Sequence, residues 1–240
     1  MGLVVEIQRF EKIYPQLVNP VTLHVFNGQE MMQVVQENNL LSKSLKASFN
    51  EAMCTRATSY PIFDEAFQEL RAKGHQSTSD QYQEIVIEHL RPLFEKSFAT
   101  IVLWFGEDVF CQLNLLTLLA FLEQEKLKIP VHVVTFDEPT YEKMTLHSVI
   151  LDGFQATYCR VLIEKSPANT CHFPILDEAI ESYLALQQKD NPLTRFIQAN
   201  QALEIEALVS ELMTNFPQYG YGDIQYEELT QEVKNNAKDN

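Results

Sequence analysis

Glycine and positive charge are both scarce in this chain. Seven glycines among 240 residues leave little material for a glycine-rich phosphate loop. No Gly-x-Gly-x-x-Gly, Walker loop, Gly-x-Ser-x-Gly elbow or His-Glu-x-x-His occurs. The 18 lysines and arginines face 33 acidic residues, for a formal charge of −15. Nucleic acid is therefore disfavoured as a partner, because phosphates need a basic face to neutralise them. An anionic membrane surface is disfavoured for the same reason. No run approaches the roughly 20 apolar residues of a membrane span, so no membrane partner is expected. The four cysteines, Cys54, Cys111, Cys159 and Cys171, include no Cys-x-x-Cys pair, so a zinc ribbon or a thioredoxin motif is excluded. The N-terminus shows no basic segment leading into an apolar stretch. Together these features point to reduced thiols in the cytoplasm.

Against this, 45% of the residues are hydrophobic, enough for a full core. Residues 3–18 carry apolar side chains without a clean period and read as an N-terminal arm, 1–19. Asn19-Pro20 resets the chain. Short apolar runs then alternate with helical stretches. Strands are expected at 21–26, 44–49, 99–104, 131–135 and 145–151, the fourth after Pro130 and the second weakened by Lys46. Helices are expected at 29–38, 62–73, 80–97, 108–124 and 154–164. Ser79 or Asp80 would cap the third of these, Pro92 would kink or split it, and Asp108 would cap the fourth. Leu113, Leu115, Leu116, Leu118, Leu119, Phe121 and Leu122 make the helix after Asp108 apolar nearly all round, the pattern of a helix buried on every side. From about Pro174 only helices are expected, near 175–188, 193–199, 202–215 and 223–236, with residues 237–240 frayed.

Strands alternating with helices imply an α/β fold: a mainly parallel sheet of about five strands with helices on both faces, spanning 20–172. An all-helical C-terminal segment, 173–236, follows it.

Two stretches of this sequence have a familiar look. They are Ser48-Phe49-Asn50-Glu51-Ala52-Met53-Cys54, and the run from Leu103-Trp104-Phe105-Gly106-Glu107-Asp108 through Cys111-Gln112-Leu113-Asn114 to Leu116. They resemble a bacterial family of uncharacterised proteins carrying the domain of unknown function numbered eighteen thirty-five. Asn215-Phe216-Pro217 through Tyr226 is similar to the family's tails, so the likeness covers about 20–235. It implies an α/β domain with a helical C-terminus and no established activity.

Ligands of open parallel sheets bind at the carboxyl ends of the strands. The segments after the expected strands are polar: Asn27 and Gly28, then Asn50, Glu51 and Cys54, then Gly106, Glu107 and Asp108, then Asp137 and Glu138, and last Asp152. The candidate ligand-binding residues are Asn27, Gly28, Asn50, Glu51, Gly106, Asp108 and Gln112. Converging carboxylates, Glu51, Glu107 and Asp108, would raise one another's pKa and suit acid–base work or a hard cation. The plainer alternative makes Asp108 a helix cap and the others solvated loop charges. Gln112 and Asn114 are amides in an apolar helix and need partners, either loop backbone or a ligand. Trp104, Phe105 and Phe110 would either wall a planar ligand or pack the sheet on its helices.

Cys111, in a first helical turn, and Cys54 are cysteines that would need a histidine base to act as nucleophiles. His24 and His132 lie inside strands, while His75, His89, His147 and His172 have no metal spacing. No metal is expected and no motif assigns a cofactor. A polar or nucleotide-like small molecule at the sheet edge is one functional expectation. A regulatory or protein–protein role for the C-terminal helices is the other, and their acidic last helix argues against DNA. A homo-oligomer is compatible with either.

Overall fold

The computed structural model describes residues 2–137, 140–141, 144–168 and 174–238. Glu138, Cys171 and His172 lie outside the described residues, as do residues 239–240 of the expected frayed tail; the last helix continues to Lys238.

The fold is α/β. Five strands, β1 (Thr22–Asn27), β2 (Leu45–Phe49), β3 (Thr100–Gly106), β4 (Val131–Phe136) and β5 (Thr145–Val149), form one sheet in the order β2-β1-β3-β4-β5. The first four run parallel, and β5 is antiparallel to β4. The reversal has a simple cause. Fewer than ten residues join β4 to β5, too few for the crossover that a parallel neighbour requires. Asp152 therefore falls at the opposite end of the sheet from the other polar turns, which corrects its expected place on the shared rim. Gly153 and Gln155 donate their backbone N–H groups to Glu123, near the far end of the long helix that starts beside Asp108.

Alternation along each strand divides the core in two. Leu23, Val25, Ile101, Leu103, Phe105 and Val133 face one side; Phe26, Val102, Trp104 and Val134 face the other. The second side is covered by α1 (Gly2–Ile13), through Leu3, Ile7 and Phe10, and by α2 (Gln29–Glu37), through Met31 and Val35. The expected N-terminal arm is thus a helical part of the core.

The first side carries α3 (Glu65–Gly74) and then a broken helical stretch, 79–95, made of α4 (Ser79–Tyr82), a π-helical turn, a 3₁₀ turn and α5 (Arg91–Glu95). Pro92 lies in the first turn of α5, where the helix restarts. The cap of α4 is Thr78, in a capping box with Gln81, rather than Ser79 or Asp80. The same side carries α6 (Val109–Gln124), buried on every face as its composition requires, and α7 (Phe154–Tyr158) with a π-helical continuation, Cys159–Ile163.

The C-terminal helices α8 (Pro174–Leu186), α9 (Pro192–Ala199), α10 (Ile205–Asn215) and α11 (Asp223–Lys238) pack onto this same core through Leu176, Tyr183, Ile197, Leu208, Leu212 and Tyr226. Among the described residues no helix is long and apolar enough to cross a membrane.

Candidate functional site

The chain leaves β1 toward β2 and returns on the other side of β1 to form β3. Right-handed crossovers convert this change of direction into a change of face. Accordingly α2, after β1, packs on one side of the sheet, and α6, after β3, packs on the other. The carboxyl ends of β1 and β3 are therefore adjacent while their helices diverge, which is the topological switch point of an open α/β sheet. Asn27 and Gly28 stand on one side of it; Gly106, Glu107 and Asp108 stand on the other.

At Gly28 the backbone takes φ +91°, and a Cβ there would meet no atom within 4 Å. The turn is thus free of side chain where it opens into α2, whose first N–H groups have no side-chain cap.

Beneath this opening the rim is tied together by amides. Asn114 Oδ1 accepts from the Met53 N–H at 2.9 Å, and its Nδ2 donates to the Glu51 carbonyl at 2.6 Å and to Asn27 Oδ1 at 2.8 Å. Asn27 Nδ2 in turn donates to Cys111 Sγ at 2.9 Å. One buried asparagine of α6 thus locks the loops after β1 and β2 to the helix after β3. The amide positions that stood out in the sequence hold loop backbone, as the plainer alternative had it for Asn114.

Glu51 does not converge with Glu107 and Asp108. It points inward, 4% exposed, and is met by Arg71 of α3, itself fully buried. Arg71 Nε donates to Oε1 at 3.0 Å and Nη2 to Oε2 at 2.5 Å. Its remaining N–H groups reach the carbonyls of Ala52, Thr55 and Ala57. Tyr82 donates its hydroxyl to Glu51 Oε1 at 2.7 Å, and His75 Nε2 lies 2.9 Å from Oε2. Burial would push the Glu51 carboxyl up, but the Arg71 charge and the hydrogen bonds from His75 and Arg71 outweigh it and hold the group well below the usual carboxylate range. Instead of a carboxylate with a raised pKa, poised for proton transfer, Glu51 is one half of a saturated buried ion pair.

Asp108 is the N-cap of α6: its Oδ1 accepts from the Cys111 N–H at 2.8 Å. Burial pushes its carboxyl up against that hydrogen bond. The turn before α11 lies directly on it, and a Cβ on Gly220 would come 2.0 Å from Asp108 Oδ1. Glu107 and Asp137 are exposed. Among the described residues no group of three His, Cys, Asp or Glu could hold a metal ion.

Gln112 is fully buried and donates Nε2 to the Gly106 carbonyl at 2.6 Å, which leaves Oε1 without a partner. Asn50 behaves likewise: Nδ2 donates to the Ile85 carbonyl at 2.7 Å, and Oδ1 is buried and unpartnered.

Cys54 is buried and its thiol is pushed up to about 12, chiefly by desolvation, which disqualifies it as a nucleophile. The aromatic wall also separates. Trp104 stacks with Phe26 and meets Phe10 edge-on on the α1 side, whereas its neighbour Phe105 belongs to the opposite core. His24 sits below Trp104 in the core, accepting from Trp104 Nε1 at Nδ1 and donating from Nε2 to the Leu17 carbonyl at 3.0 Å.

Sequence reasoning missed Arg71, His75 and Tyr82. The one available signal was the four-residue spacing of Arg71 and His75, which puts His75, the C-cap of α3, one turn beyond Arg71 on the same side. Comparison of the chain with protein-family models, with curated proteins and with solved structures returns no match.

Proposed function

We propose that the protein binds a polar or nucleotide-like small molecule at the carboxyl edge of its parallel strands, with the reaction unassigned. The observation that carries this reading is the switch point between β1 and β3. There the side-chain-free turn at Gly28 and the uncapped start of α2 adjoin Gly106, Asp108 and Gln112. Asn27 and Asn50 complete the set, while Glu51 supports it from behind as a structural group. Membership in the family of uncharacterised proteins with domain eighteen thirty-five is part of the same proposal. The motif residues on which that likeness rests, Asn50, Glu51, Asp108 and Asn114, are the ones that build this edge.

The alternative, a regulatory or protein–protein role for the C-terminal helices, has less support. Most of their apolar residues are used in the core, with Met213 and Ile224 left exposed, and their turn is seated on Asp108.

A thermal-shift panel of polar metabolites tests the proposal. A ligand present at a hundred times its Kd adds about 2.7 kcal/mol to stability, a shift of about 5–10 °C for a chain of this size. The shift is expected to shrink in Gln112→Met. A panel without a single stabilising compound refutes the reading.

A further inference from the structure

The side of the sheet that α1 and α2 cover stays partly open at its antiparallel edge strand. Leu146 of β5, and Met144 just before it, are only partly buried there. Between them and the last two turns of α1 lies a cavity of about 260 Å³, open to solvent on one side. Its floor is buried and apolar, formed by Phe10 of α1 and Val134 of β4. Its walls are Ile13, 53% exposed, with Tyr14, Met144 and Leu146. Apolar side chains gathered around one concavity, rather than scattered singly over a surface, make a place for an apolar group. The volume is just below the roughly 300 Å³ at which pockets for drug-sized ligands begin. That limits the apolar part of an occupant to about one large side chain.

The mouth of the cavity carries one charge of each sign. Glu6 and Arg9, three residues apart on α1, both line it. Their charged groups lie 3.8 Å from each other, too far for a hydrogen bond. A surface pair of this kind holds its members loosely, so both charges are available to a ligand. A lone carboxylate at this mouth would meet Glu6 as well as Arg9. A lone ammonium would meet Arg9 as well as Glu6. A molecule with an ammonium and a carboxylate on one carbon meets neither repulsion. Its carboxylate accepts from the Arg9 guanidinium and its ammonium donates to the Glu6 carboxylate, so four alternating charges close a ring. Such a molecule has no net charge and is not repelled by the −15 of the chain.

We propose that this groove binds a free α-amino acid with a large apolar side chain, its two charged groups held by Glu6 and Arg9 and its side chain laid on Phe10 and Val134. The site lies at β4 and β5, apart from the switch point between β1 and β3, and is independent of the binding reading given for that edge.

Calorimetric titration of the whole chain with L-phenylalanine and L-leucine tests it. Each is matched with its deaminated acid (phenylpropionate, isocaproate) and its decarboxylated amine (phenylethylamine, isoamylamine), and L-alanine serves as the amino acid without the apolar group. At least one of the two amino acids is expected to bind about tenfold or more tightly than its acid, its amine and L-alanine, the loss that one missing charge-assisted contact brings. Glu6→Gln and Arg9→Gln are each expected to weaken that binding by a similar factor. Both positions lie outside the buried core, and circular dichroism with an unchanged thermal transition verifies that the variants fold.

An acid or amine that binds as tightly as its amino acid overturns the zwitterionic class. L-alanine binding equally well overturns the role of the apolar groove. Affinity unchanged in both variants puts the ligand elsewhere and overturns the site, and the absence of binding by both amino acids at millimolar concentration overturns the proposal as a whole.

Discussion

Replacing Arg71 by methionine removes the cation that keeps Glu51 charged inside the protein. The methionine side chain follows the arginine stem and stops short of the guanidinium, so the change removes the charge and its donors and leaves only a small void. Five hydrogen bonds disappear: two to the Glu51 carboxylate and three to the carbonyls of Ala52, Thr55 and Ala57. Breaking a buried pair by removing one partner costs about 3–5 kcal/mol, a large share of the roughly 5–15 kcal/mol that holds a domain folded.

The pH dependence should also invert. In the parent protein the Glu51 carboxyl is held below its ordinary value of 4.5. The unfolded state therefore binds the proton first, and this stabilisation is complete above about pH 4.5 and lost as pH falls below it. Without Arg71, desolvation dominates and the folded pKa rises above the unfolded one. Glu51 then takes up a proton on folding, and its contribution improves as pH falls through the raised value. Urea unfolding followed by circular dichroism at pH 7, 6 and 5 reads both effects. The double variant Arg71→Met with Glu51→Leu should recover part of the loss, because no charge is left stranded. A single Arg71→Met variant within about 1 kcal/mol of the parent protein, with an unaltered pH profile, would refute the assignment of the pair as a buried, desolvated unit.

The pH response of His24 is separable. Burial lowers its pKa from 6.5 to about 3, so the folded state keeps it neutral. Stability is unaffected above about pH 6.5 and falls by about 1.4 kcal/mol per pH unit below it. His24→Gln should flatten the slope of unfolding free energy between pH 6.5 and 5, whatever its cost at pH 7. Gly220→Val forces a branched side chain onto Asp108 at φ +65° and should cost about 2 kcal/mol or more by chemical denaturation. Asp108→Ala removes only the cap and should cost about 1 kcal/mol. Iodoacetamide at pH 8 should leave Cys54 unmodified in the folded protein, its thiol being pushed up to about 12, and alkylate it in urea; rapid labelling without denaturant contradicts the burial assigned to it.

The legible and illegible parts of the sequence divide along physical lines. Strand and helix positions were legible because they depend on local composition. Ile101 through Trp104 is continuously apolar and β-rich, Asp108 caps the next helix, and the leucines of that helix leave no polar face for solvent. The direction of β5 was equally implicit in the short link after β4, yet position alone led Asp152 to the wrong end of the sheet. The N-terminal helix escaped because its apolar residues Leu3, Ile7 and Phe10 sit among other apolar ones, Val4 and Val5, which blur the period.

The carboxylates show where local reading stops. Position at a strand end drew attention to Glu51 and Asp108, and position alone made them equivalent. Their chemistry differs because of partners distant in sequence: Arg71 lies 20 residues beyond Glu51, and Gly220 lies 112 residues beyond Asp108. Protonation behaviour follows the partner rather than the residue type. An arginine against one carboxylate depresses its pKa, while a glycine turn over the other excludes water and raises it. The buried amides argue the same way. Asn114 has all its polar atoms answered from within the chain and is architecture. Gln112, two positions earlier on the same helix, gives its N–H to the Gly106 carbonyl and has one oxygen unanswered, so neighbouring amides of one helix differ in how completely the fold satisfies them.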